Sequence, residues 1–209
     1  MEIFNFPNIG MVKTKISDEL KKNLINDFNL NLPKKTTGLE GSNIPNHYYI
    51  TNSECFTALS EVLLECTNFY NKSFPIYIHR IKKMIGNEII QNTHLTVEQQ
   101  YCWYNEHKPN FFTPIHTHWG IFSFVLWLKI PYNAGDNKFS GNLSFLHHDI
   151  MGQEHDFIMA NDQEKEGTLL FFPSNLTHCV YPFDHVTDTR LSLSGNITIK
   201  LNKTLYANT

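Results

Sequence analysis

Five side chains in the second half of the chain have types and spacings suited to joint chemistry. His116 and His118 form an H-x-H pair in the segment TPIHTHWG over 113–120. Side chains two apart on a strand share a face, so both imidazoles can reach one ion. His178 follows the segment GTLLFFPSNLT over 167–177, which reads as a turn, a buried strand and a proline corner. A third ligand from a distant strand is what a facial three-ligand metal site in a barrel requires. In RLSLS over 190–194, alternation places Arg190, Ser192 and Ser194 on one face and Leu191 and Leu193 on the other. An arginine facing a barrel interior is costly unless its planar fork of donors grips a carboxylate, to which Ser192 could add a hydrogen bond. The implied chemistry is an open metal centre beside a site for an acidic small molecule.

The chain has 11 histidines, and most lack such spacing. His147 and His148 follow a strand end and could line a cavity mouth. His47, His79, His94, His107, His155 and His185 read as surface or satisfied core positions.

Positioning the five residues requires strands. A length of 209 residues suits one domain. Ser17 can cap a helix from Asp18 to about Phe28, with Leu20, Leu24 and Phe28 on one face. Pro33 to Pro45 reads as a loop. A second helix runs from about Glu54 to Tyr70, with Phe56, Leu59, Leu63, Cys66 and Tyr70 at helical spacing. Short runs of strand type follow, at 76–81, 96–105, 122–130, 142–146, 168–172 and 191–200. Their turn-bounded spacing predicts a mainly β jelly roll rather than a parallel α/β sheet. Residues 1–74 would form an N-terminal arm and a layer of about two buttressing helices, and 75–200 the barrel core. Polar residues 147–167 read as a long loop over the mouth. An unbroken register past Gly120 would put His116 and His118 at the mouth of an interior lined by Phe122, Phe124, Leu126, Leu128 and Ile130, with Phe124 and Leu126 as shielding walls.

Composition narrows the function. Hydrophobic residues are 41% and the formal net charge is −3. That balance argues against disorder and against non-specific nucleic-acid binding. No apolar run approaches the length of a membrane span, and no signal sequence opens the chain, so a cytoplasmic protein is expected. Cys55, Cys66, Cys102 and Cys179 form no C-x-x-C pair and read as reduced thiols. The N-x-S/T triplets at Asn71, Asn142, Asn175, Asn196 and Asn202 read as chance in an Asn-rich chain.

The order H-x-H, G-x-L-x-F, G-x-L-x-x-F-P-S-x-x-x-H-x-V-x-P and R-x-S-x-S-x-N resembles the small 2-oxoglutarate/Fe(II)-dependent oxygenases. The nearest group is the hydroxylases of prolyl-hydroxylase type often encoded by phages. The resemblance runs from Trp103 to Ile199. It is carried by Trp103, Asn105, His116, His118, Ser123, Trp127, Gly141, Leu143, Phe145, Gly167, Pro173, Ser174, His178, Val180, Pro182, Arg190, Ser192 and Asn196. It implies a double-stranded β-helix, with His116, His118 and His178 as iron ligands and Arg190 and Ser192 as the clamp on 2-oxoglutarate. Asn105, Trp127 and Asn196 become further cosubstrate contacts. The cofactors implied are Fe(II), 2-oxoglutarate and O2, with ascorbate as a supporting reductant. The implied reaction couples oxidative decarboxylation of 2-oxoglutarate to hydroxylation of a substrate, a peptidyl prolyl residue by analogy. The wider superfamily usually reads H-x-D, so an acid from Asp149 or Glu106 is an alternative to His118. Two other readings are a cupin-type metal protein and a non-enzymatic jelly-roll binding module. The first would need a Glu where Phe122 and Ser123 stand.

Overall fold

Ser17 and Asn52 start helices where unsatisfied amides need acceptors. The structure is a computed structural model describing residues 9–30, 47–85, 93–133, 140–159, 162–184 and 186–201. The Ser17 hydroxyl accepts from the Leu20 amide at 3.1 Å and heads α1, Asp18–Leu30. The Asn52 side chain accepts from the amides of Glu54 and Cys55, each at 2.9 Å, and heads α2, Ser53–Ser73. Both caps satisfy donors that a first helical turn leaves open. Buried Asp27 accepts from Thr51 Oγ1 at 2.7 Å, the Asn52 amide at 2.9 Å and the Tyr104 hydroxyl at 2.8 Å. One carboxylate thereby ties α1, the start of α2 and the barrel together. The loop expected at Pro33–Pro45 lies outside the described residues.

Residues 76–81, expected as a strand, belong instead to a third helix, α3, Pro75–Ile85. Pro75 sits at the first helical position, where its fixed φ helps and its missing N–H costs nothing. Tyr77, Ile78 and Ile81 then fall on one side and pack into the core, a helical rather than an alternating pattern. Among the described residues the helical layer therefore has three members, where about two were expected.

Among the described residues there are ten strands in chain order: β1 (Val12–Lys15), β2 (His47–Tyr49), β3 (Thr93–His107), β4 (Thr113–His116), β5 (Phe122–Lys129), β6 (Leu143–His148), β7 (Glu154–Met159), β8 (Thr168–Pro173), β9 (His178–Val180) and β10 (Arg190–Leu201). They form a six-stranded sheet, β1-β8-β5-β10-β3-β2, and a four-stranded sheet, β4-β9-β6-β7. All pairings are antiparallel. The eight strands β3 to β10 divide between two facing sheets as in a double-stranded β-helix, the fold class expected. Strand β7 and a short 3-10 turn, Gln163–Lys165, occupy the span 147–167 expected as one long loop. β7 is an edge strand with mostly exposed residues, so its sequence carries no apolar alternation to reveal it.

The larger sheet has two differently employed faces. Cys102 and Tyr104 of β3, Phe122, Phe124, Leu126 and Leu128 of β5, Leu169 and Phe171 of β8, and Leu191 and Leu193 of β10 pack against the helices. The alternate residues face the smaller sheet, among them Trp127, Leu170 and Phe172. The condition of an unbroken register past Gly120 is therefore not met. β4 ends at His116 in one sheet, and β5 begins at Phe122 in the other. Gly120 makes the switch with φ +105°, and a Cβ there would lie 2.8 Å from the Ile197 carbonyl. Of the β5 residues expected to line the interior, only Phe124 borders the cavity, and the wall is made by Val125 and Trp127. Among the described residues no helix is long and apolar enough to cross a membrane.

Candidate active site

The two sheets enclose a cavity of about 570 Å³. β10 supplies Arg190, Ser192, Ser194 and Asn196 to its wall, the face that strict alternation selects. β3 supplies Trp103, Asn105 and His107 opposite them, in register with Ser194, Ser192 and Arg190. The smaller sheet contributes His116 and His178, which are cross-strand partners. His118 lies just past β4, its amide donating to the Ser174 carbonyl at 2.8 Å. All eight sequence-predicted site residues, His116, His118, His178, Arg190, Ser192, Asn105, Trp127 and Asn196, border this one cavity.

Among the described residues, His116, His118 and His178 form the one cluster of three or more ligating side chains able to hold a metal ion, their ligating atoms within 4.8 Å of one another. The His116 Nδ1 lies 2.7 Å from the Pro114 carbonyl, and the His178 Nδ1 lies 2.8 Å from the Leu176 carbonyl. A carbonyl only accepts, so each Nδ1 carries the proton and donates it. The Nε2 lone pairs are left for an ion. Burial, reinforced by the neighbouring His116, pushes the His178 pKa down to about 4, against the opposing bond to Leu176. A neutral imidazole is the form that binds metal.

Ring centroids in the triad lie 4.9, 4.3 and 5.0 Å apart. With metal–nitrogen bonds of about 2.1 Å and ring centres about 1.1 Å beyond, these separations subtend roughly 85–105° at a shared centre. That is the arrangement of one octahedral face, so the residues present fit a six-coordinate ion with open positions opposite. No acidic side chain of the described residues joins the cluster. Asp149 hydrogen-bonds His155 in the turn after β6, and Glu106 lies beside Tyr48, whose hydroxyl burial and then the Glu106 charge push up.

Arg190 is 2% exposed. Its Nη1 donates to the Gly141 carbonyl at 2.7 Å and to the Tyr132 hydroxyl at 3.0 Å. Its guanidinium carbon lies 5.4 Å from the centre of the Phe183 ring. No carboxylate of the described residues pairs with it, so a buried cation borders the cavity with only neutral partners. Such a charge is suited to an anionic ligand.

Polar chains steady the walls between these two ends. Trp103 Nε1 donates to Asn105 Oδ1 at 3.0 Å, and Asn105 Nδ2 donates to Ser194 Oγ at 2.9 Å. Ser123 Oγ donates to Asn196 Oδ1 at 2.8 Å and lies 2.8 Å from Ser174 Oγ. At the mouth, Tyr49, Tyr101, Trp103 and Trp119 form an aromatic rim, with Tyr101 and Trp119 in edge contact at 4.5 Å.

Sequence reasoning missed Tyr132 and Phe183 as partners of Arg190, and read His107 as a surface or satisfied core position without placing it at the cavity. His107 is buried, borders the cavity and contacts Thr113 Oγ1 at 3.1 Å. Its place on β3 opposite Arg190 of β10 would have been the only signal, and that needs the strand register.

Residues 101–196 match the family model described as "Putative 2OG-Fe(II) oxygenase". No curated protein matches the chain in sequence. Among solved structures, a Pseudomonas putida prolyl-4-hydroxylase is similar in fold, with a TM-score of 0.57 and 16% identity over 91% of this chain and 92% of that one. A prolyl hydroxylase from Trichoplax adhaerens, solved with a peptide fragment of a hypoxia inducible factor, has a TM-score of 0.51 and 14% identity. That likeness covers 88% of this chain and 81% of the other.

Proposed function

We propose that this chain, an enzyme of the 2-oxoglutarate/Fe(II) oxygenase kind by family match and prolyl-hydroxylase-like in fold, hydroxylates a peptidyl prolyl residue. The observation that carries the reading is a convergent imidazole triad and a buried, acid-free arginine on one cavity. His116, His118 and His178 would hold Fe(II). Arg190, with Ser192 beside it, would hold the distal carboxylate of 2-oxoglutarate. Iron, when bound, supplies the activation of O2 that couples decarboxylation of 2-oxoglutarate to hydroxylation.

The protein's own part is positioning and exclusion. Pro114 and Leu176 carbonyls turn the Nε2 atoms of His116 and His178 toward a common point. Tyr132 and the Gly141 carbonyl fix the Arg190 guanidinium, so its remaining donors meet a carboxylate without reorganising. Val125, Trp127, Leu143 and Phe172 keep the space between the two ends apolar and dry. The aromatic rim offers ring faces against which a proline-containing segment can lie.

The test is turnover. Protein with Fe(II), ascorbate, 2-oxoglutarate and a panel of proline-containing peptides should release succinate and yield a peptide one oxygen atom heavier. Succinate released without any oxidised peptide would retain the oxygenase and refute the peptidyl substrate.

A further inference from the structure

A second cluster of imidazoles lies outside the cavity, on the hairpin made by β6 and β7. His147 and His155 are direct cross-strand partners. They continue the sheet face that carries Phe145 and His178, whose rings touch at 5.6 Å. Both are exposed, and their ring centroids are 5.6 Å apart. That separation lets two imidazoles serve one ion, with metal–nitrogen bonds of about 2.1 Å.

Asp149, in the turn between the strands, supplies the orienting partner. Its carboxylate accepts from the amides of Met151 at 2.8 Å and Gln153 at 2.9 Å. It also accepts from His155 Nε2 at 3.0 Å. The proton of His155 is thereby held on Nε2, and Nδ1 keeps its lone pair. A carboxylate on the far nitrogen is the usual companion of a metal-ligating histidine. On the opposite face of the hairpin, His148 pairs with Glu154 at 3.9 Å and takes no part.

We propose that the β6–β7 hairpin is a second metal site, in which His147 and His155 bind a divalent transition ion and Asp149 orients His155. Water completes the shell. Two imidazoles favour Ni(II), Cu(II) or Zn(II) over Fe(II). The ion's effect is to staple an edge hairpin whose flanking residues Ile150 and Met151 are 67% and 81% exposed.

The site stands apart from the oxygenase reading, and a calorimetric titration of the metal-free full chain with Ni(II) separates the two. The chain should bind two equivalents, and His147→Asn/His155→Asn should bind one. Asp149→Asn should weaken the hairpin ion by roughly ten- to a hundredfold and leave the other unchanged. His178→Ala should lose the triad ion and keep the hairpin ion. Two equivalents in the double variant, or one equivalent in both proteins, overturns the proposal. One equivalent in the natural chain and none in the double variant supports the hairpin site and contradicts the triad.

Discussion

Arg190 is a full positive charge held where water scarcely reaches, and its observed partners are a carbonyl, a hydroxyl and a ring. Tyr132 is the partner open to a clean test, because its hydroxyl joins Arg190 to the Gly141 carbonyl, 3.1 Å away. Tyr132→Phe removes one hydrogen bond to a charged group, worth about 1.5–3 kcal/mol, so the Kd for 2-oxoglutarate should rise roughly ten- to a hundredfold by calorimetry. Fe(II) affinity, read separately, should not move. The facing of Arg190 and Ser192 was legible in the sequence because strand alternation has a period of two. Tyr132 was not legible, since it stands 58 residues from Arg190 and no local pattern links them. His118 stood open between imidazole and carboxylate chemistry, and only the placement of Asp149 and Glu106 elsewhere removes the two acids then in view.

At the scale of elements, the turn at Gly120 governs the site. It carries the chain from the smaller sheet to the larger one immediately after His118, and the bonds from His118 to Ser174 and from Ile121 to Ile197 pin it on both sides. Gly120→Ala would combine a φ of +105° with a Cβ 2.8 Å from a backbone oxygen. It should cost about 1–3 kcal/mol by denaturant titration and weaken metal binding as His118 shifts. Gly152→Ala is the control, with φ +78° but nothing within 4 Å of the new Cβ, and metal affinity at the triad should survive it. The two capped helices were legible from their caps and apolar spacing. α3 was misread because its Ile-rich start has strand composition. β7 was missed because an exposed edge strand needs no buried alternation.

Over the whole molecule, the larger sheet divides labour between its faces, with three helices packed on one and the cavity on the other. The thiols follow that division. Cys55, Cys66 and Cys102 lie in the core beneath the helices, and all four cysteines are free and buried. Burial pushes Cys66 up to about 11 and Cys102 up to about 12, so at pH 8 their reactive thiolates are scarce. Iodoacetamide should label these two slowly in the native protein and rapidly in guanidinium, by mass spectrometry of digested protein. The barrel was legible as a class from short turn-bounded strands, whereas the side each strand face turns to depended on the break at Gly120. The two ends of the cavity should act on one ligand, and anaerobic titration of the Fe(II)-loaded protein with 2-oxoglutarate reads both at once. A visible metal-to-ligand band should grow and saturate, and in Arg190→Ala the Kd should rise at least roughly thirtyfold, about 2 kcal/mol. No band in the natural chain, or an unchanged Kd in the variant, would contradict this.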